Sequence, residues 1–216
     1  MKRYQNYIFD LDGTLLDTLA DLACSTNFAL RLHDMPEHPI DHIRMFVGNG
    51  VRRLIERAVP QNTPKELTEL VLDDFRKHYM EHSMDRTKPY EGIMDMLRQL
   101  RGRGARTAVV SNKFYAATAD LCRHFFGDLI EVAIGENEAK GIRKKPSPDT
   151  VLEAMRQLHA QVDDTVYVGD SDVDIETAKN SGSPCISVLW GFRDKGFLQC
   201  HGATDFVSSP DEIIAF

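Results

Sequence analysis

Along the chain, apolar and polar positions follow two rhythms in succession. Tyr7-Ile8-Phe9 is a short apolar run that stops abruptly at Asp10, the pattern of a buried strand with an acid at its tip. From Leu16 to about residue 84 the spacing is helical throughout. Leu19, Leu22, Ala23, Thr26 and Leu30 form one stripe, with Asp17 or Thr18 as its cap. Val51, Leu54, Ile55 and Ala58 form a second, stopped by Pro60. Leu67, Leu70, Val71, Phe75, His78 and Tyr79 form a third after Pro64.

From Lys88-Pro89-Tyr90 onward, strands and helices alternate. A helix through Ile93, Met96, Leu97 and Leu100 ends at Gly102/Gly104, and the strand Thr107–Val110 follows. Next come a helix through Leu121 and Phe125, a short strand near Glu131–Ile134, and a helix opened by Ser147-Pro148. Thr165–Val168 and Cys185–Leu189 read as strands on either side of a helix from Asp172 to Asn180. Such alternation predicts an α/β fold, a doubly wound parallel-sheet (Rossmann-like) core interrupted by helices. The expected division is 1–15 with 88–216 as the α/β core and 16–87 as an inserted α-helical domain.

Composition narrows the function classes. The 216 residues are 42% hydrophobic and 27% charged, enough for a sizeable core, and no apolar run reaches membrane-spanning length. The beginning lacks the apolar segment and cleavage site of a signal peptide, so a cytoplasmic location is expected. A net charge of −7 speaks against a nucleic-acid partner, though not against a small phosphorylated metabolite met by a locally positive site. Cys24, Cys122, Cys185 and Cys200 are widely spaced and read as buried or semi-buried free thiols. A monomer or a homodimer fits equally.

Chemistry gathers just past the predicted strands, where ligands of open α/β sheets bind. These segments are Asp10-Leu11-Asp12-Gly13-Thr14, Ser111-Asn112-Lys113 and Gly169-Asp170-Ser171-Asp172-Val173-Asp174, with Lys144-Lys145-Pro146 ahead of the last. Converging carboxylates repel by roughly 4 kcal/mol per close pair at an effective dielectric near 20. Hard oxygen donors without His or Cys nearby point to Mg²⁺ as the compensating charge. Thr14, Ser111, backbone amides and a lysine could then receive a phosphoryl group.

These four segments, in this order, resemble the four motifs of the haloacid dehalogenase superfamily. The resemblance implies that Asp10 is the nucleophile, Asp12 the general acid/base and Lys145 the stabiliser of charge. Ser111, with Asn112 and Thr14, would bind the phosphoryl group. Asp10, the Asp12 carbonyl and Asp170 would ligate Mg²⁺, with Asp174 behind the metal or holding the lysine. The helical insertion looks like the family's cap, hinged near Leu15–Asp17 and Thr87–Tyr90. Its Val47-Gly48-Asn49-Gly50 loop and the later Trp190-Gly191-Phe192-Arg193 resemble phosphoglycolate phosphatases, which adds Gly48, Asn49 and Gly50 as substrate-binding residues. The implied reaction is Mg²⁺-dependent hydrolysis of a small phosphomonoester, 2-phosphoglycolate first, through an aspartyl-phosphate. A phosphomutase resembling β-phosphoglucomutase, or a pyrophosphatase, is the alternative on the same fold. Arg52 and Arg53 could reach a substrate carboxylate or lie on an exposed helix face.

Overall fold

In a computed structural model that describes residues 4–137 and 141–216, the chain divides into two compact units, residues 18–88 and residues 1–17 with 89–216. The larger unit is built on a six-stranded sheet. Its strands are β1 (Asn6–Phe9), β4 (Arg106–Phe114), β5 (Val132–Glu136), β6 (Thr165–Gly169), β7 (Cys185–Val188) and β8 (Asp205–Val207). They run in the order β5-β4-β1-β6-β7-β8, every pairing parallel. After β1 the chain crosses toward β4, and after β6 it crosses toward β7. The direction of winding therefore reverses between β1 and β6, and this opens a crevice at their carboxyl ends.

β1 is buried along its whole length because both its neighbours are strands, which is why its sequence is a run rather than an alternation. Ile8, Ala108, Val110, Ile134 and Tyr167 turn to one face of the sheet. There they pack on Val151, Ala154, Met155 and Leu158 of α7 (Asp149–Leu158) and Ala178 of α8 (Asp172–Ser181). Each such large aliphatic side chain contributes about 1.5–3 kcal/mol by leaving water. The larger unit also holds α5 (Ile93–Gly102), α6 (Tyr115–Phe126) and three elements the hydrophobic pattern did not foretell: α9 (Lys195–Cys200), β8 and α10 (Pro210–Ile213).

The smaller unit is helical: α1 (Leu19–Leu32), α2 (Ile40–Phe46), α3 (Val51–Ala58) and α4 (Lys65–His82). Leu22, Leu30, Ile43, Ile55, Leu72, Phe75 and Tyr79 form its interior. The chain leaves and re-enters the core through a ribbon of two short strands, β2 (Leu16–Asp17) and β3 (Lys88–Pro89). Thr18 does occupy the N-cap of α1, but its backbone is already helical and its side chain makes no capping bond. Buried Asp21, one turn later, accepts from the backbone N–H groups of Arg86 and Thr87 and from the Thr87 hydroxyl (2.8 Å). All four cysteines are free, but Cys24 and Cys200 are exposed rather than buried. No described helix is long and apolar enough to cross a membrane.

Candidate active site

Asp10 leaves β1 still pinned to the sheet, its N–H donating to Val168 O at 2.8 Å. The chain then coils tightly, Leu11 O accepting from the N–H groups of Leu15 and Leu16. Gly13 adopts φ +89°, and a Cβ there would stand 2.3 Å from Asp170 Oδ2. Glycine is needed twice over, for the turn and for the approach of the β1 loop to the β6 loop. Thr14 is enclosed: its carbonyl accepts from Trp190 Nε1 (3.0 Å), and its buried hydroxyl has no hydrogen-bond partner among the described residues.

Lys145 binds the strand tips together. Its buried Nζ donates to Asp10 Oδ1 (2.6 Å), Asp174 Oδ1 (2.8 Å) and Tyr167 OH (3.0 Å). Tyr167 in turn donates to Asp174 Oδ1 at 2.8 Å. The other Asp174 oxygen closes the N-terminus of α8, accepting from the Ser171 hydroxyl (2.6 Å) and the N–H groups of Ser171 and Asp170. Its carboxylate is thus spent on the lysine and on its own helix cap. Burial works against the Lys145 ammonium, but Asp10 and Asp174 outweigh it and keep its pKa above the ordinary range.

Asp10, Asp170 and Asp174 offer oxygens within 4.8 Å of one another, all three residues buried. Burial, with Lys145 opposing it and Asp174 and Asp170 adding to it, holds the Asp10 pKa well above the usual carboxylate range. Burial and then the Asp174 charge push Asp170 up to about 7. Three carboxylates outnumber the Lys145 ammonium and the Arg193 guanidinium that acts on Asp170, so negative charge is left over when all are ionised. Asp10 keeps Oδ2, and Asp170 keeps Oδ1, clear of protein donors among the described residues, while Asp170 Oδ2 accepts from Phe192 N–H at 2.6 Å. Oxygen donors, surplus negative charge and unspent lone pairs fit a hard divalent cation.

The end of β4 departs from regular pairing. Val110 and Phe114 lie opposite Ile134 and Glu136, so β4 carries two extra residues in that interval. This bulge holds Ser111, Asn112 and Lys113, which lie within the strand's carboxyl end rather than beyond it. Ser111 Oγ accepts from Lys113 N–H (3.1 Å) and donates to Asp12 Oδ2 (3.4 Å). Asn112 turns to Lys145, its Oδ1 accepting from the Lys145 N–H (2.8 Å) and its Nδ2 donating to the Lys145 carbonyl (3.0 Å). These two bonds fix the backbone of Lys145 against the end of β4.

Sequence reasoning left two participants unassigned. Lys113 Nζ sits 3.1 Å from Asp12 Oδ1. Two-residue alternation from Ser111 was the available signal. Tyr167 looked like one more buried strand residue, but a buried phenol requires a partner, and the nearby acids could have supplied it. Gly48, Asn49 and Gly50 lie in the helical unit between α2 and α3. Gly50 takes φ +86° at the start of α3, and Asn49 Oδ1 accepts from Arg57 (2.8 Å). Arg52 pairs with Glu69 on α4, and Arg53 with Glu56 (2.7 Å), so both lie on carboxylates of their own unit.

Many known proteins resemble this chain in sequence or in fold. A family profile described as haloacid dehalogenase-like hydrolase matches residues 7–188. A phosphoglycolate phosphatase of Aquifex aeolicus is 34% identical over 186 residues, covering 86% of this chain and 84% of its own. One of Neisseria meningitidis is 31% identical over 99% of this chain and 91% of its own. A crystal structure from Lactobacillus delbrueckii subsp. bulgaricus, provisionally named a phosphoglycolate phosphatase, superposes with a TM-score of 0.93 at 35% identity, covering 98% of this chain and 97% of that one.

Proposed function

We propose, from the premise that this chain belongs to the haloacid dehalogenase-like hydrolase family and is a phosphoric monoester hydrolase, that it works through a phosphorylated Asp10, with Mg²⁺ as its metal and 2-phosphoglycolate as its substrate. The observation that carries this reading is the buried contact between Asp10 and Lys145 beside Asp170, at the reversal of the sheet.

In this reading an Asp10 oxygen attacks phosphorus, the bond from phosphorus to the ester oxygen breaks, and Asp12 gives its proton to the departing oxygen. Water then attacks the acyl-phosphate, its proton passes to Asp12, and inorganic phosphate leaves with the Asp10 carboxylate restored. Lys145 offsets charge on the nucleophile and the phosphoryl oxygens, and Ser111 donates to one of those oxygens. Asp174 and Asn112 keep the lysine in place. Asp10, the Asp12 carbonyl and Asp170 would hold Mg²⁺, which neutralises phosphoryl charge as the anionic nucleophile approaches. The substrate assignment draws on the names of the relatives, with Gly48, Asn49 and Gly50 proposed to contribute to selection.

The experiment is phosphate release from a panel of small phosphomonoesters, with and without Mg²⁺. Release is expected to need the metal, with kcat/KM highest for 2-phosphoglycolate. Asp10→Asn should lower it at least about a thousandfold while the melting temperature is kept. A fully active Asp10→Asn enzyme would remove Asp10 from the nucleophile's role; a better ester in the panel would replace the substrate.

A further inference from the structure

Lys113 has no part in the reaction as described, yet its side chain is only 2% exposed and its ammonium faces Asp12. Burying an ammonium costs several kcal/mol unless a partner offsets it. The fold makes room for this one deliberately. The two-residue bulge in β4 aims Ser111 and Lys113 at the same carboxylate, one at each oxygen. Opposite the bulge stands Gly135, where a Cβ would lie 2.6 Å from Tyr115 Cα and 2.7 Å from the Lys113 carbonyl. Thr118 Oγ1, shared between the carbonyls of Lys113 and Phe114 (3.3 Å each), fastens the bulge to α6.

The Lys113 ammonium is turned to Asp12, and its charge acts first on the carboxylate it touches. A carboxylate held at Oδ1 by a buried ammonium is confined in orientation, and proton transfer demands that confinement: a displacement near 1 Å can cost about a hundredfold in rate.

We propose that Lys113 is a positioning residue for Asp12, holding the acid/base carboxylate at its Oδ1 from the β4 bulge. The proposal rests on the reading of Asp12 as acid/base, so the test separates the two. It is a double-mutant cycle on an aryl phosphate, whose better leaving group keeps Asp12→Asn measurable. Lys113→Met should lower kcat about a hundredfold with KM within about twofold, and Lys113→Arg should recover most of the loss. In the Asp12→Asn background Lys113→Met should change kcat by less than about twofold, because the carboxylate it serves is already gone. An equal loss in both backgrounds, a loss carried by KM, or no loss would overturn the proposal. If Lys113→Met does not fold, Lys113→Gln takes its place under the same criteria. Asp10→Asn is assayed alongside. Its activity would defeat the phosphatase mechanism, whereas an inactive Asp10→Asn beside an undiminished Lys113→Met defeats only the role of Lys113.

Discussion

Gly13, Gly169 and Gly191 each stand where a single methyl group would enter the carboxylate cluster. A Cβ at Gly169 would lie 2.4 Å from Asp174 Cγ, and one at Gly191 2.4 Å from Asp170 Oδ2. Gly13→Ala adds an unfavourable left-handed backbone to such a clash, and is expected to destabilise by roughly 1–3 kcal/mol in denaturant unfolding. Its activity should fall further than its stability, since the displaced atom is a carboxylate oxygen of Asp170. Asn112→Ala is milder in volume but breaks two buried bonds to the Lys145 backbone. At about 0.5–1.5 kcal/mol per bond, a loss of about 1–3 kcal/mol is expected. A kcat reduced with KM little changed would mark a lysine out of place; an unchanged kcat would show that the loop holds itself.

Among the elements, β4 and α4 carry the clearest consequences. Gly135→Ala presses a methyl group against the backbone of Tyr115 and Lys113, which cannot yield as a flexible side chain would. Expected is a loss of about 1–3 kcal/mol, with reduced turnover because the bulge behind Asp12 must shift. On α4, burial first, and His82 beside it, lower the His78 pKa, while Glu81 and Asp85 pull the other way. The ring lies 4.0 Å from Phe28, stacked, and its Nδ1 shares a hydrogen with Ser25 Oγ at 3.0 Å. The folded chain therefore resists protonation that the unfolded chain accepts near its ordinary value of about 6.5. Stability falls as pH drops below that value, and His78→Gln should flatten the fall between pH 7 and pH 5 in thermal melts. Parallel curves for the two proteins would exclude this histidine as a source.

These elements also mark the limit of what the sequence discloses. β1 and β6 were legible because continuous apolar runs end in acids. α2 was not, since seven residues with only Ile43 buried hold too little periodicity. The bulge of β4 depends on Gly135, and the bonds made by Asp21 depend on a segment 65 residues away, so neither leaves a local pattern. Ser111 and Lys145 could be placed by their motifs, but Lys113 and Tyr167 needed the partners that only folding supplies.

For the molecule as a whole, a cation held by the surplus negative charge of the cluster would stabilise the folded chain. A metal that binds the native state at a hundred times its Kd adds about 2.7 kcal/mol. Mg²⁺ should accordingly raise the melting temperature of the wild-type protein, and much less that of Asp170→Asn; equal shifts would place the ion elsewhere. The sheet order has a consequence for synthesis too. β1 emerges first from a ribosome, yet its partners span residues 106–109 and 165–168. The helical unit, a compact stretch of residues 18–88, is complete in sequence before either partner of β1 has been made. A chain halted before β6 would hold β1 along one edge only, so the strand that leads to Asp10 gains its second neighbour only once residues 165–168 have been made.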